Sequence, residues 1–98
     1  MATTESQNSK GSPERLDIST AMQRAAEQLA QMLQREPSSV SAVKATEDGW
    51  SADVEVTEIE KVPDTASVMA TYRVSLDAQG QLLGYERVRR YAKGQIDR

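Results

Sequence analysis

WSADVEVTEIEKVPDTASVMATYRVSL, residues 50–76, carries two alternating runs separated by a turn. In the first run Trp50, Ala52, Val54 and Val56 alternate with Ser51, Asp53, Glu55 and Thr57. That period of two gives a strand with one apolar face and one polar face. Past Val56 the phase slips, because Glu58 and Glu60 take the apolar positions and Ile59 a polar one. The strand either leaves the core there or carries a bulge that resets its facing. Val62-Pro63-Asp64-Thr65 reads as a turn. In the second run Val68, Ala70, Tyr72, Val74 and Leu76 share one face.

Working outward, Asp77-Ala78-Gln79-Gly80 is a second tight turn, with Gly80 suited to a left-handed backbone. The last run is QLLGYERVRRYAKG, residues 81–94. Simple alternation puts Leu83, Tyr85, Arg87, Arg89 and Tyr91 on one side and Leu82, Glu86, Val88 and Arg90 on the other. Its β-branched and aromatic residues favour a strand at least to Val88, with strand or helix open from Glu86 onward. On the other flank, SVSAVKAT (39–46) is a short strand with Val40 and Ala42 on one face and Val43 on the other. Asp48-Gly49 then reads as a hairpin signal, since glycine accepts a positive φ.

Before Pro37 the period changes to that of a helix. Ile18, Met22, Ala25, Leu29 and Met32 recur at intervals of three and four, and Ala21, Ala26 and Leu33 widen the stripe. The pattern predicts an amphipathic helix over residues 18–35. Asp17 or Ser19 is placed to cap it, and Thr20 with Gln23 fits a capping box. A proline disfavours helical ψ in the residue before it, so Pro37 marks the stop. The Ala- and Met-rich face and the absence of Lys on the polar face argue for packing on a sheet rather than on a membrane surface.

Tight links make neighbouring strands antiparallel. The reading is an α+β domain, α-β-β-β-β, with one N-terminal helix on a three- to four-stranded antiparallel sheet in two layers. Its expected core is Met22, Leu29, Trp50, Val54, Val56, Tyr72, Val74 and Leu76. Residues 1–14 have almost nothing to bury and read as a disordered tail. Residues 15–98 read as the single domain, whose small size gives modest burial.

Composition narrows the chemistry. The chain has no Cys and no His, hence no thiolate chemistry and no imidazole to bind metal or shuttle protons. No nucleophile, phosphate-cradling or dinucleotide-binding motif is present. Asp53, Glu55, Glu58 and Glu60 form an acidic stripe, but alternation divides it between two faces and no loop offers calcium-ligand spacing. No cofactor, small-molecule substrate or catalytic residue is expected. No apolar run spans a bilayer, and the expectation is a cytoplasmic protein without membrane insertion.

The charge is lopsided. Residues 81–98 hold Arg87, Arg89, Arg90, Lys93 and Arg98 against Glu86 and Asp97, an excess of +3 in a chain whose net charge is −3. The remainder therefore carries −6. One reading is cross-strand pairing, with Arg87 and Arg89 facing Glu55 or Asp53. A second is a protein-binding patch of Arg87, Arg89, Arg90, Lys93 and Tyr91, matched by an acidic strand end of Glu58 and Glu60 with Ile59 as anchor. A third is nucleic-acid binding, with bases stacked on Tyr85 and Tyr91, which the overall negative charge disfavours.

The stretch from Gly49 to Arg98 resembles the gas vesicle protein O family. The likeness lies in Gly49-Trp50, Val54-Glu55-Val56, Glu58-Ile59-Glu60, Val62-Pro63-Asp64 and Ala70-Thr71-Tyr72. It continues through Leu76-Asp77, Gly80, Gly84-Tyr85 and Arg87-Val88-Arg89-Arg90-Tyr91, and with the helix it covers residues 18–98. The order and spacing of these short pieces carry it. The resemblance implies a non-enzymatic accessory of gas vesicle assembly that binds other gas vesicle proteins, accessory or structural, in the cytoplasm or at the vesicle. It brings no catalytic or cofactor residue. The strand order also suggests a PepSY- or cystatin-like module, which would use an apolar pocket on the open sheet face to bind or inhibit.

Overall fold

The computed structural model describes residues 16–95, so the expected tail over residues 1–14 lies outside the described residues. The elements are α1 (Ile18–Leu33), β1 (Pro37–Ala45), β2 (Gly49–Ile59), a single 3₁₀ turn (Asp64–Ala66), β3 (Val68–Asp77) and β4 (Leu82–Ala92). The strands form one antiparallel meander in the order β1-β2-β3-β4, with the helix on one face. The α+β two-layer reading therefore holds.

Asp17 caps the helix by accepting the Thr20 amide at 2.8 Å; its side chain satisfies one of the first-turn amides that lack a helical partner. The cap is Asp17, with no capping box built on Thr20. At the other end Gln34 takes a left-handed conformation (φ 58°) and its amide returns to Ala30, so the helix stops short of residue 35. Ala21, Ala25 and Leu29, spaced by four, form the fully buried seam. Two alanines let the backbone come close to the sheet, and Leu29 supplies burial worth about 2 kcal/mol. Ile18 and Met32, in the first and last turns, stay half exposed, and Met22 is half buried.

Against that seam β2 presents Trp50, Ala52, Val54 and Val56, and β3 presents Ala70, Val74 and Leu76, all buried. Tyr72 packs on this core half buried. Four hydrogen bonds fasten the helix and the residue leading into it to the β3–β4 turn and the start of β4. The Leu16 amide donates to Ala78 and Arg24 donates to the Gln79 carbonyl. Gln28 donates to the Gly80 carbonyl at 2.7 Å and accepts the Leu82 amide at 3.0 Å.

Three details depart from simple alternation. In β1 a register shift between Val40 and Ala42 puts Val40 and Val43 on the core together, with Ala42 exposed. Gly49 does not supply a positive φ; it is the first residue of β2, and a Cβ there would overlap the Leu76 carbonyl and the Asp77 backbone. Gly80 does take the left-handed region, at φ 88°. The last run remains a strand to Ala92, with shifts at Leu83 and Val88.

Candidate functional site

β3 lies between β2 and β4, so no β2 residue is hydrogen-bonded in register to a β4 residue. Long side chains cross the gap on both faces. On the helix side, β4 residues opposite core positions of β3 are Tyr85 (with Val74), Arg87 (with Tyr72) and Arg90 (with Ala70). On the other side are Gly84, Glu86, Arg89 and Tyr91, opposite Ser75, Arg73, Thr71 and Met69. The shift at Val88 is what sends Arg87 and Arg90 to one face and Arg89 to the other, contrary to the strict alternation expected.

On the helix side everything converges on Glu58. The β2 register slips between Thr57 and Ile59, so Glu58 is the bulged residue. Its carboxylate accepts the Tyr72 hydroxyl at 2.9 Å, Arg90 Nε at 3.0 Å and Arg87 Nη1 at 3.3 Å. Its carbonyl accepts Arg35 Nη1 at 2.9 Å. The Glu58 side chain is 13 % exposed, whereas those of Arg87 and Arg90 are 47 % and 50 % exposed. Burial opposes ionisation of Glu58, but the Tyr72 hydroxyl and the two guanidiniums outweigh it and hold the carboxyl below its ordinary value. Burial, then Glu58, raises the Tyr72 phenol. The Tyr72 and Tyr85 rings lie 6.1 Å apart, tilted by 53°.

On the open face Glu55 is the counterpart. It accepts Ser41 Oγ at 2.6 Å, Thr71 Oγ1 at 2.7 Å and the Tyr91 hydroxyl at 2.6 Å. Burial again opposes ionisation; the three hydroxyls and Arg89 prevail and lower the carboxyl. Tyr91, partly buried and facing Glu55, is pushed up to about 12. The Arg89 guanidinium sits 4.3 Å from the centroid of the Tyr91 ring, a cation–π distance. Asp53 holds Arg73 bidentately at 2.9 and 3.2 Å. The expected pairing of Arg87 and Arg89 with Glu55 or Asp53 is thus redistributed: Asp53 takes Arg73, Arg87 takes Glu58, and Arg89 acts on Glu55 only through its charge.

A third cluster pins the β2–β3 tip. Lys93 Nζ lies 2.7 Å from Asp64, the Lys93 amide donates to the Ser67 carbonyl and the Gly94 amide to Thr65. The buried Ser67 accepts the Lys61 amide at 3.0 Å. This tip displays Val62, 99 % exposed, next to the half-exposed Ile59 and the exposed Glu60.

The fold therefore brings Glu58, Arg87 and Arg90 together, and separates Arg89 with Tyr91, Lys93 with Asp64, and Glu60 with Ile59. Sequence reasoning missed Arg35, Asp64 and the two tyrosine hydroxyls as partners of this charge network. A register is needed to find them, and the bulges of β4, unlike the one at Glu58, leave no pattern in the chain. Among the described residues there is no group of three or more acidic side chains fit to hold a metal, and no helix is long and apolar enough to cross a membrane.

The family model described as Gas vesicle synthesis protein GvpO matches residues 4–97. Gas vesicle protein O of Streptomyces sp. (strain CB03234) is 55 % identical over 71 residues, 72 % of this chain and 56 % of that protein. Gas vesicle protein O of Haloferax mediterranei is 35 % identical over 82 residues, 83 % of this chain and 59 % of that protein. Gas vesicle protein O1 of Halobacterium salinarum is 33 % identical over 79 residues, 81 % of this chain and 66 % of that protein. The chain thus spans less than two thirds of the length of these relatives. No solved structure matches it. A match over nearly the whole chain, with relatives above 30 % identity, establishes that this chain belongs to the GvpO family of gas vesicle synthesis proteins.

Proposed function

We propose that this chain is a non-enzymatic accessory of gas vesicle synthesis that acts by binding other gas vesicle proteins. The family supports the pathway. The observation that carries the binding role is the sharing of one carboxylate, Glu58, by two half-exposed arginines. Glu58 engages Arg87 through Nη1 and Arg90 through Nε, which leaves the remaining guanidinium donors directed to solvent with a net positive charge. Arginine forks held in this way suit carboxylates on a protein partner. Ile59 and Val62 add an apolar contact at the neighbouring tip. In this reading the protein works in the cytoplasm, at or near the forming vesicle, and needs no small molecule.

The open face counts against the PepSY-like alternative: its hollow is lined by Lys44, Thr46, Ser51, Asp53, Arg73 and Ser75 beside Ala42 and Val43, so it is not an apolar pocket. Nucleic-acid binding is disfavoured by Tyr91, whose hydroxyl and one ring face are engaged by Glu55 and Arg89. Co-purification of the tagged chain with gas vesicle proteins tests the proposal. Changing Arg87, Arg89 and Arg90 to Glu should weaken association, with retained circular dichroism confirming the fold. Unchanged association would remove the arginines from the interface, and binding to single-stranded nucleic acid at low salt would favour the rival reading.

A further inference from the structure

The meander leaves β1 and β4 as its edges, and among the described residues no strand lies beyond β4. No residue of β4 is buried, and the helix packs less on β4 than on any other strand. Leu83, Tyr85 and Val88 are 61 %, 38 % and 40 % exposed. An edge strand directs alternate N–H and C=O groups outward, a template for another strand.

Charge decides what that strand can be. A second copy pairing β4 to β4 would bring Arg87, Arg89 and Arg90 of both molecules together, and like charges directly opposite are destabilising. A second copy offering β1 brings PSSVSAVKA, which has no acid and one Lys, begins with Pro and has two register shifts. Neither complements β4. We infer that the edge of β4 receives an extended, acidic segment of a partner protein, which continues the sheet as a fifth strand. Main-chain bonds supply the affinity, and alternating acids supply the choice of partner.

The two faces of the edge fit such a guest. Acidic side chains on the helix side meet Arg87 and Arg90, and those on the other side meet Arg89. Apolar side chains meet Tyr85 and Val88. Glu58 and Glu55 already hold Arg87, Arg90 and Tyr91 in place, so less side-chain freedom is lost on binding. The irregularity at Val88 divides the edge into Gly84–Arg87 and Arg89–Ala92, so a short guest pairs with one run.

This inference rests on the protein-binding reading and adds its mode. The probe is a synthetic peptide of alternating Glu and Val, titrated into the isotope-labelled full chain. Amide shifts should concentrate in residues 84–92, and outward-facing amides there should exchange more slowly. Methylating the peptide's backbone nitrogens along one edge keeps its charge but removes its ladder donors, and should weaken binding roughly tenfold or more. A Lys-Val peptide should not bind. Equal binding by the methylated peptide, shifts centred elsewhere, or no binding by the Glu-Val peptide would overturn the inference. The same peptide should displace co-purifying gas vesicle proteins. If those proteins bind but the peptide neither binds nor displaces them, the edge is wrong and the broader reading stands. If no gas vesicle protein co-purifies, the broader reading fails and takes this inference with it.

Discussion

Glu58 on β2 and Arg90 on β4 lie 3.0 Å apart although a whole strand separates their backbones. Glu55 does the same on the opposite face, reaching Tyr91 at 2.6 Å. Two carboxylates from one strand thus clamp an edge strand that buries none of its own residues. The acid-rich and base-rich parts of the chain fold onto each other, and Arg87 and Arg90 remain about half exposed.

Replacing Glu58 tests the clamp. Glu58→Ala leaves Arg87, Arg90 and Tyr72 without their shared acceptor and should cost about 1–3 kcal/mol in urea unfolding. Glu58→Gln keeps an acceptor for Tyr72 and should cost less. Equal stability of all three proteins would show that the clamp contributes nothing.

Acid should loosen the same clamp. Glu55 and Glu58 titrate lower in the fold than in the unfolded chain, so the unfolded state takes up protons first. Their contribution is complete above the ordinary Glu range of about pH 4–5 and is lost as pH falls through the lowered folded values. Urea midpoints should hold steady from neutral pH to that range and then drop. The double variant Glu55→Gln/Glu58→Gln should show a shallower drop.

At high pH the tyrosines should separate. Tyr91 is pushed up to about 12 and Tyr72 is also raised. Tyrosinate absorbance should rise in stages, and Tyr91→Phe should remove the last one. Because an unfolded tyrosine ionises near pH 10, the Tyr91 contribution to stability is present below that pH and fades as pH climbs to its folded value.

Two glycines should behave oppositely. Gly49→Ala drives a methyl into the Leu76 carbonyl and the Asp77 backbone and should unfold or severely destabilise the domain. Gly84→Ala meets nothing within 4 Å and should melt close to the parent. Thermal denaturation of the pair separates a backbone-contact role from ordinary strand propensity.

The core should be unforgiving. Leu29→Ala removes the only large side chain of the fully buried helical seam and should cost about 2–5 kcal/mol. Small domains have total stability of only about 5–15 kcal/mol, so the variant should be partly unfolded at physiological temperature by circular dichroism.

Periodicity carried the architecture. The change from a period near 3.6 to one of 2 at Pro37 located the helix and the strands, and Asp-Ala-Gln-Gly located the β3–β4 turn. The facings that failed share a cause: bulges in β1 and β4 shift the phase of later side chains with no sign in residue type, unlike the bulge in β2, which the phase slip past Val56 signals. Ala42 and Val43 exchanged places, as did the facings of Arg89 and Arg90, for that reason. Glu58 was legible as an anomaly in an apolar position, but its partners were not, since Arg90 is reached across a strand rather than along one. Asp48-Gly49 suggests torsional freedom in the sequence, whereas the structure uses the smallness of Gly49.

Gln28 is fastened at 2.7 and 3.0 Å to Gly80 and Leu82, more than fifty residues further along the chain. On a ribosome the helix emerges early and its ties late. Successive hairpins can zip together as each turn appears, but the ties to Gln28 must wait until the β3–β4 turn and the start of the last strand have been translated. The arginine-bearing edge comes later still, so it is made only after those ties are possible.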